Sequence, residues 1–159
     1  MKKTDYELIC SQMRALAEDV SYEITNLANA SALLYTSMEE INWAGFYLYL
    51  DGQLVLGPFQ GKPACTKIAM GKGVCGTAAL KGETELVPDV HQFPGHIACD
   101  CASNSEIVVP VYKNGALYGV LDIDSPVFAR FSKEDQEGLE AFVKILEEFL
   151  VLSCGDNGE

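Results

Sequence analysis

The residues best suited to chemistry in this chain lie in one stretch, residues 89–124. The stretch opens with a polar loop that contains two histidines and two cysteines, Cys99 and Cys101, and it ends with Asp122 and Asp124. A thiolate is a soft nucleophile, and grouped carboxylates attract cations. The combination indicates a pocket for a small, positively charged substrate.

A strongly patterned β-hairpin connects the cysteines to the carboxylates. Its predicted strands, residues 105–112 and 116–124, flank Asn114-Gly115 and carry their aliphatic residues at odd-numbered positions. A strict two-residue loop would pair odd positions with even ones and mix core with charge, so we expect a three-residue or bulged connection. The resulting register places Tyr112 opposite Tyr118, Val108 opposite Asp122, and Glu106 opposite Asp124.

This register brings three carboxylates, those of Glu106, Asp122 and Asp124, to the face opposite the aliphatic core. Carboxylates this close repel one another, and burial raises their pKa values further. A bound ammonium group would relieve the repulsion. A solvated acidic edge is the alternative, but Val108 and Tyr118 share this face, so we favour a cation-binding pocket.

Helices are predicted at both ends of the chain. Thr4 with Glu7 has capping-box spacing at the start of a first helix, a second is expected over residues 21–35, and Ser132 with Asp135 caps the last one. Their apolar stripes are predicted to be Tyr6, Ile9, Met13, Leu16 and Val20; Ile24, Leu27 and Leu34; and Leu139, Phe142, Val143, Leu146, Phe149 and Leu150.

The hydrophobic period changes to two over residues 42–50. Phe46, Leu48 and Leu50 share one face of this predicted strand, and Trp43, Gly45, Tyr47 and Tyr49 share the other. The turn at Asp51-Gly52 leads into a returning strand, residues 53–56. The two faces suggest a core on one side and a pocket on the other, although the aromatic face would also suit packing under another segment.

Two further elements are expected before the hairpin. Residues 71–80, GKGVCGTAAL, resemble a glycine turn that leads into a short helix containing Cys75, without the spacing of a known phosphate-binding loop. Residues 85–87 form a short strand.

Length and composition bound the possible functions. With 159 residues, 48% of them hydrophobic, the chain fits one domain, 1–159, with helices over 1–36, the sheet and pocket loops over 42–124, and a final helix over 132–152. The net charge of −12 argues against binding to nucleic acid or to an anionic membrane. There is no apolar run of about 18 residues and no signal-peptide core, so a cytoplasmic protein with reduced cysteines is expected.

The cysteines allow several chemistries. A zinc site is one of them, with Cys65, Cys75, Cys99 and Cys101 as ligands together with His91 or His96. The spacing of these residues is not that of structural zinc sites, so neither a metal nor another cofactor is expected. Redox chemistry fits better, because a thiolate at Cys99 can attack an electrophilic sulfur and become a sulfenic acid. A second thiol then condenses with it to a disulfide.

Six motifs together carry a specific resemblance that extends over residues 43–131. They are WAGFY (43–47), GPFQGKPAC (57–65), GKGVCGTAA (71–79), DVHQFPGHIACD (89–100), SNSEIVVP (103–110) and LDID (121–124). They resemble the free methionine-(R)-sulfoxide reductases, which are single GAF domains.

The resemblance implies an α+β GAF fold, in which N- and C-terminal helices pack on one face of a central antiparallel sheet and loops cover a ligand pocket on the other. It further implies reduction of free L-methionine-(R)-sulfoxide, thioredoxin as the reductant, and a homodimer. The alternative is a non-catalytic GAF domain that senses a small ligand, since fold alone does not determine function.

The resemblance also implies roles for single residues. Cys99 would be the attacking cysteine, Cys65 the resolving cysteine, and Cys75 a further or alternative disulfide partner. Cys101 departs from the family pattern, because a small residue without a thiol is expected there, and it leaves the disulfide pairing open.

The implied substrate contacts divide between two ends of the ligand. Glu106, Asp122 and Asp124 would hold the amino group, which agrees with the register argument, while Trp43 and Tyr47 would wall the methyl sulfoxide end. The departing sulfoxide oxygen must be protonated. Glu106 and the ammonium group that it holds are both candidates for the donor.

Overall fold

The computed structural model describes residues 1–95 and 103–150; predictions that concern His96, Cys99 and Cys101 lie outside them. The helices are α1 (Tyr6–Ala17), α2 (Glu23–Ser37), α3 (Gly73–Lys81) and α4 (Lys133–Glu147), with a short 3-10 helix at Val90–Gln92. The strands are β1 (Trp43–Leu50), β2 (Gln53–Gly61), β3 (Lys67–Ile68), β4 (Glu85–Val87), β5 (Ser105–Lys113) and β6 (Ala116–Ser125). Within the described ranges, the helices are too short or too polar to cross a bilayer.

The strands form one antiparallel sheet of six strands in the order β3-β2-β1-β6-β5-β4. The two hairpin turns, Asp51-Gly52 and Asn114-Gly115, have positive φ at both residues, between 54° and 79°. This is the geometry of type I′ turns, and Asp-Gly and Asn-Gly are the sequences that favour it. Both turns are where the sequence predicts them. The return strand β2 is longer than predicted, because a bulge opposite Phe46 accommodates Gly57 and Pro58.

The β5–β6 hairpin confirms the predicted pairing at its chemical end. Glu106 pairs with Asp124, and Val108 pairs with Asp122. At the turn end the prediction was wrong in detail, because Tyr112 pairs with Leu117 and Lys113 with Ala116. The two-residue turn is retained, and a bulge at Tyr118 restores the parity between the strands. The hydroxyl of Tyr118 donates a hydrogen bond to Glu23 on α2.

The sheet has a hydrophobic core on each face. The larger core contains Ala44, Phe46, Ile107 and Leu121 and is covered by α1, α2 and α4. The second core contains Trp43 and Tyr47 and is covered by α3 and the pocket loops. The predicted arrangement, helices from the chain ends on one face and a loop-covered pocket on the other, is confirmed.

The first two helices differ in detail from the prediction. Asp5, not Thr4, caps α1, since its side chain accepts a hydrogen bond from the backbone N–H of Leu8 at 3.1 Å. Leu16 and Ile24 were assigned to the buried stripes but are 42% and 70% exposed. Ala17 and Ala30 are fully buried instead, because small side chains let the helices approach their neighbours closely.

The capping box at the start of α4 is confirmed and belongs to a wider polar network. The Ser132 side chain accepts from the Asp135 backbone, and the Asp135 carboxylate accepts from the Ser132 backbone. The same carboxylate accepts a hydrogen bond from the Tyr6 hydroxyl at 2.6 Å and lies 3.3 Å from the Arg130 guanidinium. This buried network connects α1 to α4.

Candidate active site

The pairing of the three central strands groups the predicted carboxylates around a cavity of about 50 Å³. Asp122 lies beside Gly45 of β1, Asp124 lies beside Trp43, and Glu106 pairs with Asp124 from the other side. Asp122 and Asp124 are only 5% and 9% exposed.

Burial and mutual repulsion change the protonation of this cluster. Burial raises the pKa of the Glu106 carboxyl well above its usual range, and the neighbouring Asp122 carboxylate raises it further. The pKa of Asp122 is raised by burial first and by the charge of Asp124 second. A cation bound here would stabilise the ionised forms. The arrangement is therefore one that favours an ammonium ligand, as the hairpin register predicts.

The thiol of Cys75 is part of the same cluster. Cys75 lies in the first turn of α3 and is buried and unoxidised, with its Sγ 3.9 Å from Glu106 Oε2. Burial, and then the carboxylates of Asp122 and Glu106, raise the pKa of this thiol well above its ordinary value. Cys75 is therefore protonated at neutral pH and is a poor nucleophile.

The possibility of a metal site can be tested against the same geometry. The ligand atoms of Cys75, Glu106 and Asp122 lie within 4.8 Å of one another, so they are the described groups that could share a cation. The zinc alternative in the sequence relied on several cysteines together. Cys65 is disulfide-bonded, so its sulfur is not a thiolate ligand, and His91 lies outside the described lining of the cavity.

Two aromatic residues wall the cavity and also hold a neighbouring loop. Trp43 stacks on Phe59 with ring centroids 5.1 Å apart, and its Nε1 donates to the carbonyl of Lys62 at 3.0 Å. The Tyr47 hydroxyl donates to the carbonyl of Cys65 at 2.9 Å. The two residues predicted to contact the methyl sulfoxide end therefore line the cavity and fix the loop that carries Cys65.

The described cysteines differ in oxidation state. Cys65 takes part in a disulfide bond, whereas Cys10 and Cys75 are free thiols. Cys10 is half-buried on α1 and packs against the larger core, away from the cavity. The structure thus brings Cys65 and Cys75 to the cavity region, and the predicted attacking cysteine, Cys99, lies outside the described residues.

Several lining residues were missed by the sequence reasoning. Lys72, Gly73 and Val74 lie at the start of α3 and line the cavity, as do Val90 and Ser103. The glycine turn before α3 was noted in the sequence, but it was tested only against phosphate-binding spacings. The useful signal was a glycine turn and helix start close to a cluster of acids, which becomes visible only when the register is known.

Comparison with known proteins agrees with the fold. The model of the GAF domain family matches residues 12–148. The chain is 56% identical to Protein YtsP of Bacillus subtilis over 94% of this chain and 93% of that protein. It is 52% identical to the free methionine-R-sulfoxide reductase of Escherichia coli over 94% and 92% of the two chains.

A solved structure shows the same agreement in three dimensions. The structure of fRMsr of Staphylococcus aureus in complex with substrate is 52% identical, superposes with a TM-score of 0.91, and covers 95% of this chain and 99% of that one. The sequence match and the structural match both extend over nearly the whole chain. This chain therefore belongs to the GAF domain family and, within it, to the free methionine-(R)-sulfoxide reductases.

Proposed function

We propose that this protein reduces free L-methionine-(R)-sulfoxide to L-methionine by cysteine chemistry. The observation that carries the proposal is the cavity, where buried carboxylates and an aromatic wall meet in a chain whose relatives are named for this reaction. Free methionine sulfoxide offers an ammonium group for the first feature and an apolar methyl group for the second.

The carboxylate cluster binds the ammonium group in this proposal. One oxygen of Asp122, Oδ1, is buried and has no hydrogen bond partner in the described part of the chain. An ammonium group would donate to it and would offset the repulsion between Asp122 and Glu106. Because a hydrogen bond to a charged group contributes about 1.5–3 kcal/mol, this end of the substrate supplies much of the affinity.

The chemical step transfers oxygen from sulfur to sulfur. The Cys99 thiolate attacks the sulfoxide sulfur, the S–O bond breaks, and the oxygen passes to Cys99 as a sulfenic acid while methionine leaves as the thioether. The oxygen must gain a proton as it leaves the substrate. Glu106 is the proposed donor, because burial and the neighbouring Asp122 carboxylate raise the pKa of its carboxyl well above its usual range.

A second thiol then resolves the sulfenic acid. Cys65 is the proposed resolving residue, since it is capable of disulfide formation in this fold and is held by the Tyr47 hydroxyl. Its attack forms a disulfide and releases the oxygen as water. Cys75 is the weaker candidate, because burial and nearby carboxylates keep it as a thiol.

Turnover requires a reductant for the disulfide. We propose thioredoxin, whose dithiol would reduce the disulfide by thiol–disulfide exchange and become oxidised itself. Thioredoxin works in the reducing environment of the cytoplasm, so the protein would act there. We also propose that it is a homodimer. Thioredoxin and the homodimer are what the family resemblance implies.

The proposal is tested by coupling reduction to NADPH through thioredoxin and thioredoxin reductase. Wild type should consume NADPH with free methionine-(R)-sulfoxide, Cys99→Ser should lose turnover, and Cys10→Ser is the matched control because Cys10 lies away from the cavity. Mass spectrometry after one turnover without reductant should find Cys65 in the new disulfide. An inactive wild type, or full turnover by Cys99→Ser, would refute the assignment. Binding without turnover would favour a ligand sensor.

A further inference from the structure

The loop that carries Cys65, residues 62–66, is tied to β1 by two side chains. The indole Nε1 of Trp43 donates to the carbonyl of Lys62 at 3.0 Å, and the Tyr47 hydroxyl donates to the carbonyl of Cys65 at 2.9 Å. Both donors also line the cavity. The acceptors are backbone oxygens, so neither hydrogen bond requires the sulfur of Cys65 to be oxidised.

The hydrogen bond from Tyr47 acts on the residue that carries the reacting sulfur. The next carbonyl along the chain, that of Thr66, accepts a hydrogen bond from the backbone N–H of Leu56 on β2 at 3.0 Å. On the other side of Cys65, the ring of Pro63 fixes one backbone dihedral angle of the loop. The backbone around Cys65 is therefore restrained from both directions, and the Tyr47 hydroxyl is the side-chain group that restrains Cys65 itself.

The Tyr47 side chain is itself held firmly. It is 2% exposed, and its ring stacks on that of Trp43 with centroids 6.0 Å apart. Burial, and then the nearby Asp122 carboxylate, raise the pKa of the Tyr47 hydroxyl above its ordinary value. The hydroxyl therefore keeps its proton and remains a donor to the carbonyl of Cys65. A rigid donor on a central strand is a suitable anchor for a loop.

We propose that the Tyr47 hydroxyl positions Cys65 for its attack on the sulfenic acid, while the ring of the same residue walls the substrate. This inference rests on the proposed function and assigns the hydroxyl to the second chemical step. In that step the Cys65 sulfur attacks the sulfenic sulfur of Cys99 and the S–O bond breaks. The released hydroxyl leaves as water with the thiol proton. Placing the thiol in advance speeds such an intramolecular reaction, because less freedom is lost when it reacts.

The first test measures how the sulfenic acid is divided between two reactions in Tyr47→Phe, which keeps the ring and removes the hydroxyl. Reduced protein is mixed with free methionine-(R)-sulfoxide and dimedone, a trap for sulfenic acids. Mass spectrometry then gives the ratio of the Cys65 disulfide to the dimedone adduct. This ratio does not depend on how fast the sulfenic acid forms. Loss of one hydrogen bond predicts a ratio about fivefold lower than in wild type.

Tyr49→Phe is the matched control, because it removes the same hydroxyl from the same strand. Tyr49 is 38% exposed and is not among the described residues that line the cavity. Its variant should give the wild-type ratio of disulfide to adduct. A ratio within twofold of wild type in Tyr47→Phe, or an equal fall in Tyr49→Phe, would overturn the positioning role.

The second test needs no substrate. The reduced proteins are alkylated with iodoacetamide, and mass spectrometry follows the modification of single cysteines. Cys65 should react about fivefold faster in Tyr47→Phe than in wild type, because its loop has lost one anchor. Cys10, half-buried on α1 and away from the cavity, is the internal reference and should react at the wild-type rate. An equal rise at Cys10 would indicate general loosening of the fold and would overturn the anchor.

The two tests also separate this inference from the proposed function. If wild type does not reduce the sulfoxide but Tyr47→Phe accelerates alkylation of Cys65 alone, the reductase proposal fails and the anchoring of Cys65 stands. If wild type turns over and the ratio of disulfide to adduct is unchanged in Tyr47→Phe, the reductase proposal stands and the positioning role fails, whatever the alkylation rate.

Discussion

Replacing Asp122 with asparagine should have opposite effects on folding and on substrate binding. Asp122 is buried on β6, and the groups that face it are Glu106, Asp124, Cys75 and Tyr47. None of these four described groups carries a positive charge. The Asp122→Asn substitution would remove one carboxylate from the cluster and supply an amide that can donate a hydrogen bond to those that remain.

The effect on folding depends on pH, and its sign follows from the raised pKa of Asp122. An unfolded aspartate loses its proton near pH 3.9, whereas the buried Asp122 retains its proton to a higher pH. Above about pH 4 the folded state therefore holds more protons than the unfolded state, and the free energy of unfolding falls as pH rises. The loss is about 1.4 kcal/mol for each unit by which the pKa is raised. Asp122→Asn should remove this part of the pH dependence.

The effect on binding has the opposite sign. The ammonium group of the substrate would lose a charged acceptor, and hydrogen bonds of this kind contribute about 1.5–3 kcal/mol. This corresponds to a loss of roughly 10- to 150-fold in affinity. We therefore expect a variant that is more stable than wild type at pH 8 and that binds and reduces methionine-(R)-sulfoxide much less well.

Urea unfolding of the reduced protein at pH 5, 6.5 and 8, with the coupled assay at pH 7.5, measures both effects. Asp19→Asn is the matched control, because it makes the same change in net charge at an exposed position between α1 and α2. Asp19→Asn should follow wild type in both assays. The reasoning about Asp122 would be refuted if Asp122→Asn lost stability between pH 5 and 8 as steeply as wild type, or if it kept wild-type kcat/KM.

Two further predictions concern the elements that support the site. Tyr6→Phe should lower the free energy of unfolding by about 1–2 kcal/mol, since it removes the hydroxyl that donates to Asp135. Burial, and then the Asp135 carboxylate, raise the pKa of Tyr6, so the folded state retains the hydroxyl proton above pH 10. In urea titrations above pH 10, wild type should therefore lose stability more steeply than Tyr6→Phe as pH rises. Gly61→Ala should lower the free energy of unfolding by more than about 1 kcal/mol, because Gly61 has φ of +132° and an added Cβ would lie 2.6 Å from the Trp43 ring. An unchanged thermal unfolding curve would contradict this prediction.

The β5–β6 hairpin shows which features of the site could be predicted from the sequence and which could not. Side-chain alternation required core residues to pair with core residues, and this was enough to bring Glu106 and Asp122 to one face. It did not say where the irregularity would lie. Asn114-Gly115 strongly favours a two-residue type I′ turn, so the turn is regular and the bulge lies at Tyr118 instead. The contact of Tyr118 with Glu23 on α2 is a tertiary interaction that no local pattern contains.

The rest of the site could not be predicted from the sequence, because it also depends on tertiary contacts. The hydrogen bond from Tyr47 to the carbonyl of Cys65 depends on how the loop after β2 folds back over the sheet. That the start of α3 would lie beside Glu106 depends on the position of a helix that packs on β5 and β6. Family motifs identified the residue types at these positions, but the spatial relation between the glycine turn and the acids appeared only in the folded chain.

The carboxylate cluster sets an energetic cost that a ligand can relieve. Burial and mutual repulsion disfavour the ionised forms of Glu106 and Asp122 when no cation is beside them. An ammonium group in the cavity would relieve this cost, whereas an analogue without that charge would leave it in place.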